Sequence, residues 1–130
     1  MSQKKREINV LLLCDEPSWI TTEKKCLETL GGLCVETVLM THEALAKLEK
    51  NKPDVIVVDW SRTVDSILVE SLRSENGMTP IIVFSYGDEK ELFTELCKSG
   101  TVGFVDKSGD VEKVFSSLKS CIVAIASHHE

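Results

Sequence analysis

At 130 residues with a formal net charge of -6, the chain has the size of one domain, long enough to bury a core and too short for two. Its hydrophobic content of 42% excludes an intrinsically disordered class. The acidic balance argues against direct nucleic-acid binding, because the only basic cluster is the short Lys4-Lys5-Arg6 arm, expected as a flexible terminus over residues 1–7 ahead of a domain at 8–127.

In chain order, the first strand is predicted at Val10-Leu11-Leu12-Leu13, running into Cys14-Asp15-Glu16. Pro17 suits a first helical turn, and Ile20, Cys26, Leu27 and Leu30 follow at helical spacing until Gly31-Gly32 stops the helix. A second strand is expected over Leu33 to Val38. Thr41 can cap a second helix whose inner face is Ala44, Leu45 and Leu48, ended by Asn51 to Pro53. The run Val55-Ile56-Val57-Val58 has no polar alternation, as in a strand buried on both faces, and it closes on Asp59.

A third helix is predicted over Val64 to Arg73, and the polar stretch from Ser74 to Gly77 leads to a fourth strand, Ile81-Ile82-Val83-Phe84, ending in Ser85. Asp88 and Glu91 have capping-box spacing for a fourth helix that stops at Gly100. The fifth strand, Val102-Gly103-Phe104-Val105, ends in Asp106-Lys107. The last helix begins near Asp110, with Val111, Val114, Phe115, Leu118, Ile122 and Ile125 inward. Its segment Cys121 to Ala126 is apolar nearly all round, which fits a helix tucked deeply against its neighbour, or a contact surface for a second copy or another domain.

Strand and helix patterns alternate five times, which predicts an α/β domain of βαβ units on a parallel sheet. Right-handed crossovers place helices on both faces, giving a three-layer doubly wound (βα)5 architecture. Ligands of such sheets bind beyond the carboxyl ends of the strands, so Asp15, Asp59, Ser85 and Lys107 are expected to converge. Five cysteines with no CxxC pair indicate neither a disulfide framework nor a zinc site, and a reducing cytoplasm is expected. No apolar stretch approaches the ~20 residues needed to span a bilayer, so no direct membrane contact is expected.

Four motifs carry a family resemblance. Val10-Leu11-Leu12-Leu13-Cys14-Asp15-Glu16-Pro17 is similar to "VLIVDDEP", Pro53 to Asp59 to "PDLILLD", Thr79 to Ser85 to "TPIIVLT", and Gly100 to Lys107 to "GADDYLTK". In this order and at these spacings the chain resembles the receiver domain of two-component response regulators along essentially its whole length. The resemblance implies the flavodoxin-like strand order 2-1-3-4-5. It also implies a signalling module and not an enzyme, beyond self-phosphorylation from phosphohistidine or a small phosphodonor and autodephosphorylation.

By that resemblance Asp59 is the phosphoacceptor, and Mg²⁺ is held by Asp15, Asp59 and the backbone carbonyl of Ser61. Lys107 pairs with a phosphoryl oxygen, Ser85 donates its hydroxyl to another, and Ser85 with Phe104 forms the switch. The implied partners are a histidine kinase or phosphotransfer protein and an output protein or domain contacting the face of the fourth helix, fifth strand and fifth helix. A homodimer is a further candidate assembly. Taken one at a time, Asp15 could be a helix cap, Asp59 a turn residue, Ser85 an ordinary hydroxyl, Lys107 a surface charge and Phe104 a core ring.

The chain departs from the family pattern at several positions. Cys14 replaces the first acid of the usual pair, a change comparable to losing an outer-sphere partner of the metal, at ~10 to 100-fold in affinity or activity. Glu16, on the opposite side of the strand end, is not expected to reach the site directly. Tyr86 stands where a small residue is usual, and Trp60-Ser61-Arg62-Thr63 replaces a Met-Pro segment. Lys107-Ser108-Gly109-Asp110 resembles the "KGGD" variant of some archaeal receivers attached to sensor kinases. The alternative implied by Cys14 and Tyr86 is a degenerate receiver that binds partners without phosphorylation. A flavin or hydrolase site fits less well: Cys14-Asp15-Glu16 would repel a phosphate, and Asp59-Trp60-Ser61 lacks the second Asp of aspartate-based phosphohydrolases.

Overall fold

Asp54, just ahead of the Val55 strand, ties that strand to the start of the first one through two hydrogen bonds with Asn9. Its backbone N–H donates to the Asn9 carbonyl at 2.8 Å, and its Oδ2 accepts from the Asn9 N–H at 2.8 Å. The computed structural model describes residues 7–14, 17–38, 46, 52–59, 79–85 and 103–128. Strand β1 spans Ile8–Leu13, helix α1 Pro17–Thr29, β2 Leu33–Val38, β3 Val55–Asp59, β4 Ile81–Ser85, β5 Gly103–Asp106 and helix α2 Val111–His128. Apart from Ala46, which is helical, the three helices expected between β2 and β3, β3 and β4, and β4 and β5 lie outside the described residues, as do the Thr41 cap and the Asp88 and Glu91 capping box.

All pairings are parallel, in the order β2-β1-β3-β4-β5. The sequence selects this arrangement because β3 and β4 are buried along their full length, which suits a sheet covered on both sides. Val10, Leu12, Cys14, Val55, Val57, Ile82, Phe84 and Val105 pack with residues of α1 and α2 into one core. Leu11, Leu13, Ile56, Val58, Ile81 and Val83, on the opposite face by strand alternation, are buried as well. This is the flavodoxin-like doubly wound fold expected from the sequence.

Helix α1 ends where Gly31 and Gly32 adopt φ of +86° and +79°, a backbone region open to glycine. Lys119 of α2 donates to the Leu30 carbonyl there at 2.7 Å. Helix α2 starts on Asp110, whose Oδ2 accepts from the Lys113 N–H at 3.3 Å. Two expected inner-face positions are corrected. Val111 is 58% exposed, because it occupies the first turn, ahead of the point where α2 meets the sheet at Val114 and Phe115. Leu30 is 37% exposed, because α1 has already ended at Thr29.

The apolar end of α2 is only partly inserted. Ile122 is buried, Cys121 and Ile125 pack against the core margin, and Val123 is exposed. Gly103 makes this approach close: a Cβ there would stand 3.1 Å from Ile125 Cδ1 and 3.2 Å from Cys121 Sγ. No helix of the described residues is long and apolar enough to cross a membrane.

Candidate functional site

The carboxyl ends of β1, β3 and β5 bring three of the chain's reactive groups together, and α1 adds a fourth. The Cys14 N–H donates to the Val38 carbonyl at 3.1 Å, which carries the β1–β2 ladder one residue past Leu13 and sets Cys14 at the sheet's edge, buried. Asp59 is the last residue of β3, opposite Phe84 of β4, and only 3% exposed. Lys107 follows β5 directly. Its N–H donates to the Ser85 carbonyl at 2.7 Å, which extends the β4–β5 ladder and aims the side chain back over the strand ends.

The Lys107 ammonium makes a direct ion pair with Asp59 Oδ1 and lies 5.2 Å from the centroid of the Phe84 ring. The ring is in turn braced against Phe115 of α2, with centroids 5.7 Å apart. A cation over an aromatic face is attracted by the ring quadrupole, so Phe84 supports Lys107 from below while Asp59 fixes its tip.

Glu23 is the residue that the motifs did not reveal. It lies on α1, is 0% exposed, and occupies the buried stripe between Ile20 and Leu27. Neither of its carboxylate oxygens has a hydrogen-bond partner, and Lys107 Nζ stands 4.0 Å from Oε2. Ligand atoms of Cys14, Glu23 and Asp59 all fall within 4.8 Å of one another. Burial, then the adjoining Asp59 carboxyl, pushes the Glu23 acid up from 4.5 to about 9, and Lys107 and Trp19 oppose this only in part. A proton on Glu23 turns it into a donor toward Asp59, which relieves the repulsion between the two.

One sequence signal did point to Glu23. The inner stripe of α1 calls for an apolar residue three after Ile20 and four before Leu27, and the chain has Glu23-Lys24 there.

Ser85 is buried at the end of β4. By alternation its side chain shares the face of Val83 and not that of Phe84, and Phe104, paired with Val83, lies on the same face. Thus Asp59, Lys107, Glu23 and Cys14 meet on the α1–α2 side of the strand ends, with Ser85 and Phe104 together on the other. Asp15, Glu16, Trp60, Ser61 and Tyr86 lie outside the described residues.

Two buried carboxyls and a lysine at the mouth of a parallel sheet suit an anionic group delivered together with a divalent cation. Hard oxygen donors with buried, unsatisfied lone pairs fit Mg²⁺, and Glu23 supplies those lone pairs. The model of the response regulator receiver domain family matches residues 10–119. The chain belongs to that family.

This receiver domain is 24% identical over 118 residues to a probable C4-dicarboxylate response regulator of Bacillus subtilis, covering 88% of this chain and 52% of that protein. The chain therefore spans about half the length of the curated relative it matches. Among solved structures it is similar to the receiver domain of the Francisella response regulator 1452, at 26% identity and a TM-score of 0.80, covering 95% of this chain and 100% of that one. It is also similar to the chemotaxis protein CheY4 of Vibrio cholerae, at 28% identity and a TM-score of 0.73, covering 88% and 98% of the two chains. The family places the chain in two-component signalling, where receivers act with histidine kinases and output domains.

Proposed function

We propose that this receiver, spanning residues 8–127 behind an N-terminal arm at 1–7, accepts a phosphoryl group on Asp59 from a phosphohistidine of a kinase or phosphotransfer protein. The observation that carries the reading is the Asp59–Lys107 ion pair, buried at the mouth of β3 and braced by Phe84. A carboxylate oxygen of Asp59 attacks phosphorus, the P–N bond to the donor imidazole breaks, and the imidazole nitrogen keeps the electron pair and takes up a proton. Lys107, already at the carboxylate, moves its charge onto a phosphoryl oxygen as the new bond forms.

Mg²⁺, when bound, lowers the repulsion between carboxylate and phosphoryl oxygens, and Asp15, Asp59 and the Ser61 carbonyl are the residues assigned to hold it. Ser85 supplies a hydroxyl to the transferred group. Because Ser85 and Phe104 share a face of the sheet, inward movement of Ser85 opens space into which the half-buried Phe104 ring turns. A shallow cleft lined by Phe104, Asp106, Lys113, Val114, Ser117 and Cys121 joins β5 to α2, and this supports assigning output contacts to the face of the fourth helix, β5 and α2. The reading is of a cytoplasmic relay, with no chemistry beyond its own phosphorylation and dephosphorylation.

Incubation with Mg²⁺ and a small phosphodonor tests this. Intact-mass analysis should show one added phosphoryl group on the wild type and none on Asp59→Asn. An unlabelled wild type, or equal labelling of both, overturns the reading.

A second reading rests on Cys14, a buried thiol in the acid's place: a degenerate receiver that binds its partner independently of phosphorylation. It predicts partner binding indifferent to Asp59→Asn.

A further inference from the structure

We propose that Glu23 supplies, from helix α1, the acid that is missing at Cys14, and that its carboxylate joins Asp59 in holding the divalent cation of this site. The inference rests on the phosphoacceptor reading for its purpose, but its geometry stands apart from it. In the family pattern both acids of the pair follow the first strand. Here one of those positions carries a thiol, a soft donor poorly suited to Mg²⁺. The nearest described replacement is not a neighbour in sequence but Glu23, nine residues on, which the helix returns to the same spot.

The stripe of α1 that carries Glu23 is otherwise apolar, and among the described residues its one ion pair is the long contact with Lys107. Ile20 and Leu27 fill the rest of that stripe, and a leucine at 23 would continue the core. A buried polar group ordinarily finds a hydrogen-bond partner, and one without a partner carries a desolvation penalty. Glu23 is fully buried, neither of its oxygens has a hydrogen-bond partner, and one of them lies within 4.8 Å of the ligand atoms of Cys14 and Asp59. Lys107 does not resolve this, since it is engaged with Asp59 and stands 4.0 Å from Glu23 Oε2. A divalent cation between Glu23 and Asp59 satisfies both carboxylates, offsets their mutual repulsion, and leaves Lys107 to meet the phosphoryl group.

This arrangement keeps the number of acids near the acceptor while changing the element that presents one of them. A ligand on α1 ties the cation to that helix and not to the loop after β1. Cation binding is then coupled to the packing of α1 against the sheet.

Mn²⁺ binding to the full chain, followed by the loss of the free-ion paramagnetic resonance signal, tests the inference. Glu23→Gln keeps the shape and Glu23→Leu completes the apolar stripe, so at least one of the two should remain folded by circular dichroism. Both should weaken Mn²⁺ binding by ~10 to 100-fold. Adding Cys14→Asp to Glu23→Leu returns an acid to the position just after β1 and should recover most of that loss.

Unchanged Mn²⁺ affinity in both Glu23 variants overturns the inference and leaves the phosphoacceptor reading intact, as does a wild type that binds no Mn²⁺ yet is phosphorylated. Binding that depends on Glu23, in a wild type that takes up no phosphoryl group, upholds the inference and removes the phosphoacceptor reading alone.

Discussion

Lys107 and Glu23 compete for the same carboxylate, and the balance between them sets the charge of the pocket. With Lys107 on Asp59, that pair is neutral, and Glu23 is left buried beside it. The groups facing Glu23 are Asp59 from β3, Cys14 from β1, Trp19 from its own helix and Lys107 beyond β5. In the unfolded chain Glu23 ionises near 4.5, whereas in the folded, cation-free chain it holds its proton to about 9. Between those values the folded state binds more protons, so stability falls as pH rises. The contribution is complete below about pH 4.5 and is lost as pH approaches 9. Thermal melts in the presence of a chelator should therefore show the wild type losing ground to Glu23→Gln steadily from pH 5 to 9. A gap between the two that does not change with pH would show that Glu23 ionises freely in the fold.

At the scale of elements, the strands were legible because their apolar runs are continuous. Val55 to Val58, β-branched and without polar alternation, match a strand covered on both sides, and β3 emerges there. Helix α1 is legible in its limits, from Pro17 to the glycine stop, but its inner face carries an interruption: Glu23 occupies a position that periodicity reserves for an apolar residue. Val111 departs from its expected inward position for a related reason. Helical spacing places it on the correct face, but the first turn of α2 does not yet touch the sheet.

The meeting of α2 with β5 depends on Gly103, whose missing side chain admits Cys121 and Ile125. Gly103→Val puts an isopropyl group, Cβ and two methyls, into that contact and should destabilise the domain by ~1–3 kcal/mol, measurable by urea denaturation. An unchanged midpoint would mean that the end of α2 gives way freely.

Over the whole molecule, the parallel topology is what turns scattered residues into a site. Cys14, Glu23, Asp59 and Lys107 lie on four different segments, and the parallel 2-1-3-4-5 order gathers them at one end of the sheet. A ligand that binds only the folded arrangement stabilises it by mass action. Mg²⁺ at one hundred times its Kd should add ~2.7 kcal/mol, on the order of 10 °C in Tm for a domain of this size. Chelation should reverse the rise, and Asp59→Asn should abolish most of it. A Tm indifferent to Mg²⁺ would count against a cation site on this receiver.

The sequence by itself determined the architecture and the family, because strand continuity, helix caps and strand-end motifs are local patterns that survive without knowledge of contacts. It also placed Asp59 and Lys107 at strand ends, where a parallel sheet must present them. Only the tertiary structure decided which side chains share a face: Glu23 joins Asp59 and Cys14, while Ser85 and Phe104 lie together across the sheet. The physical reason is that the environment of a carboxylate is made by segments distant in the chain. Local pattern showed a polar residue interrupting a helix stripe, and packing turned that interruption into a buried acid beside Asp59.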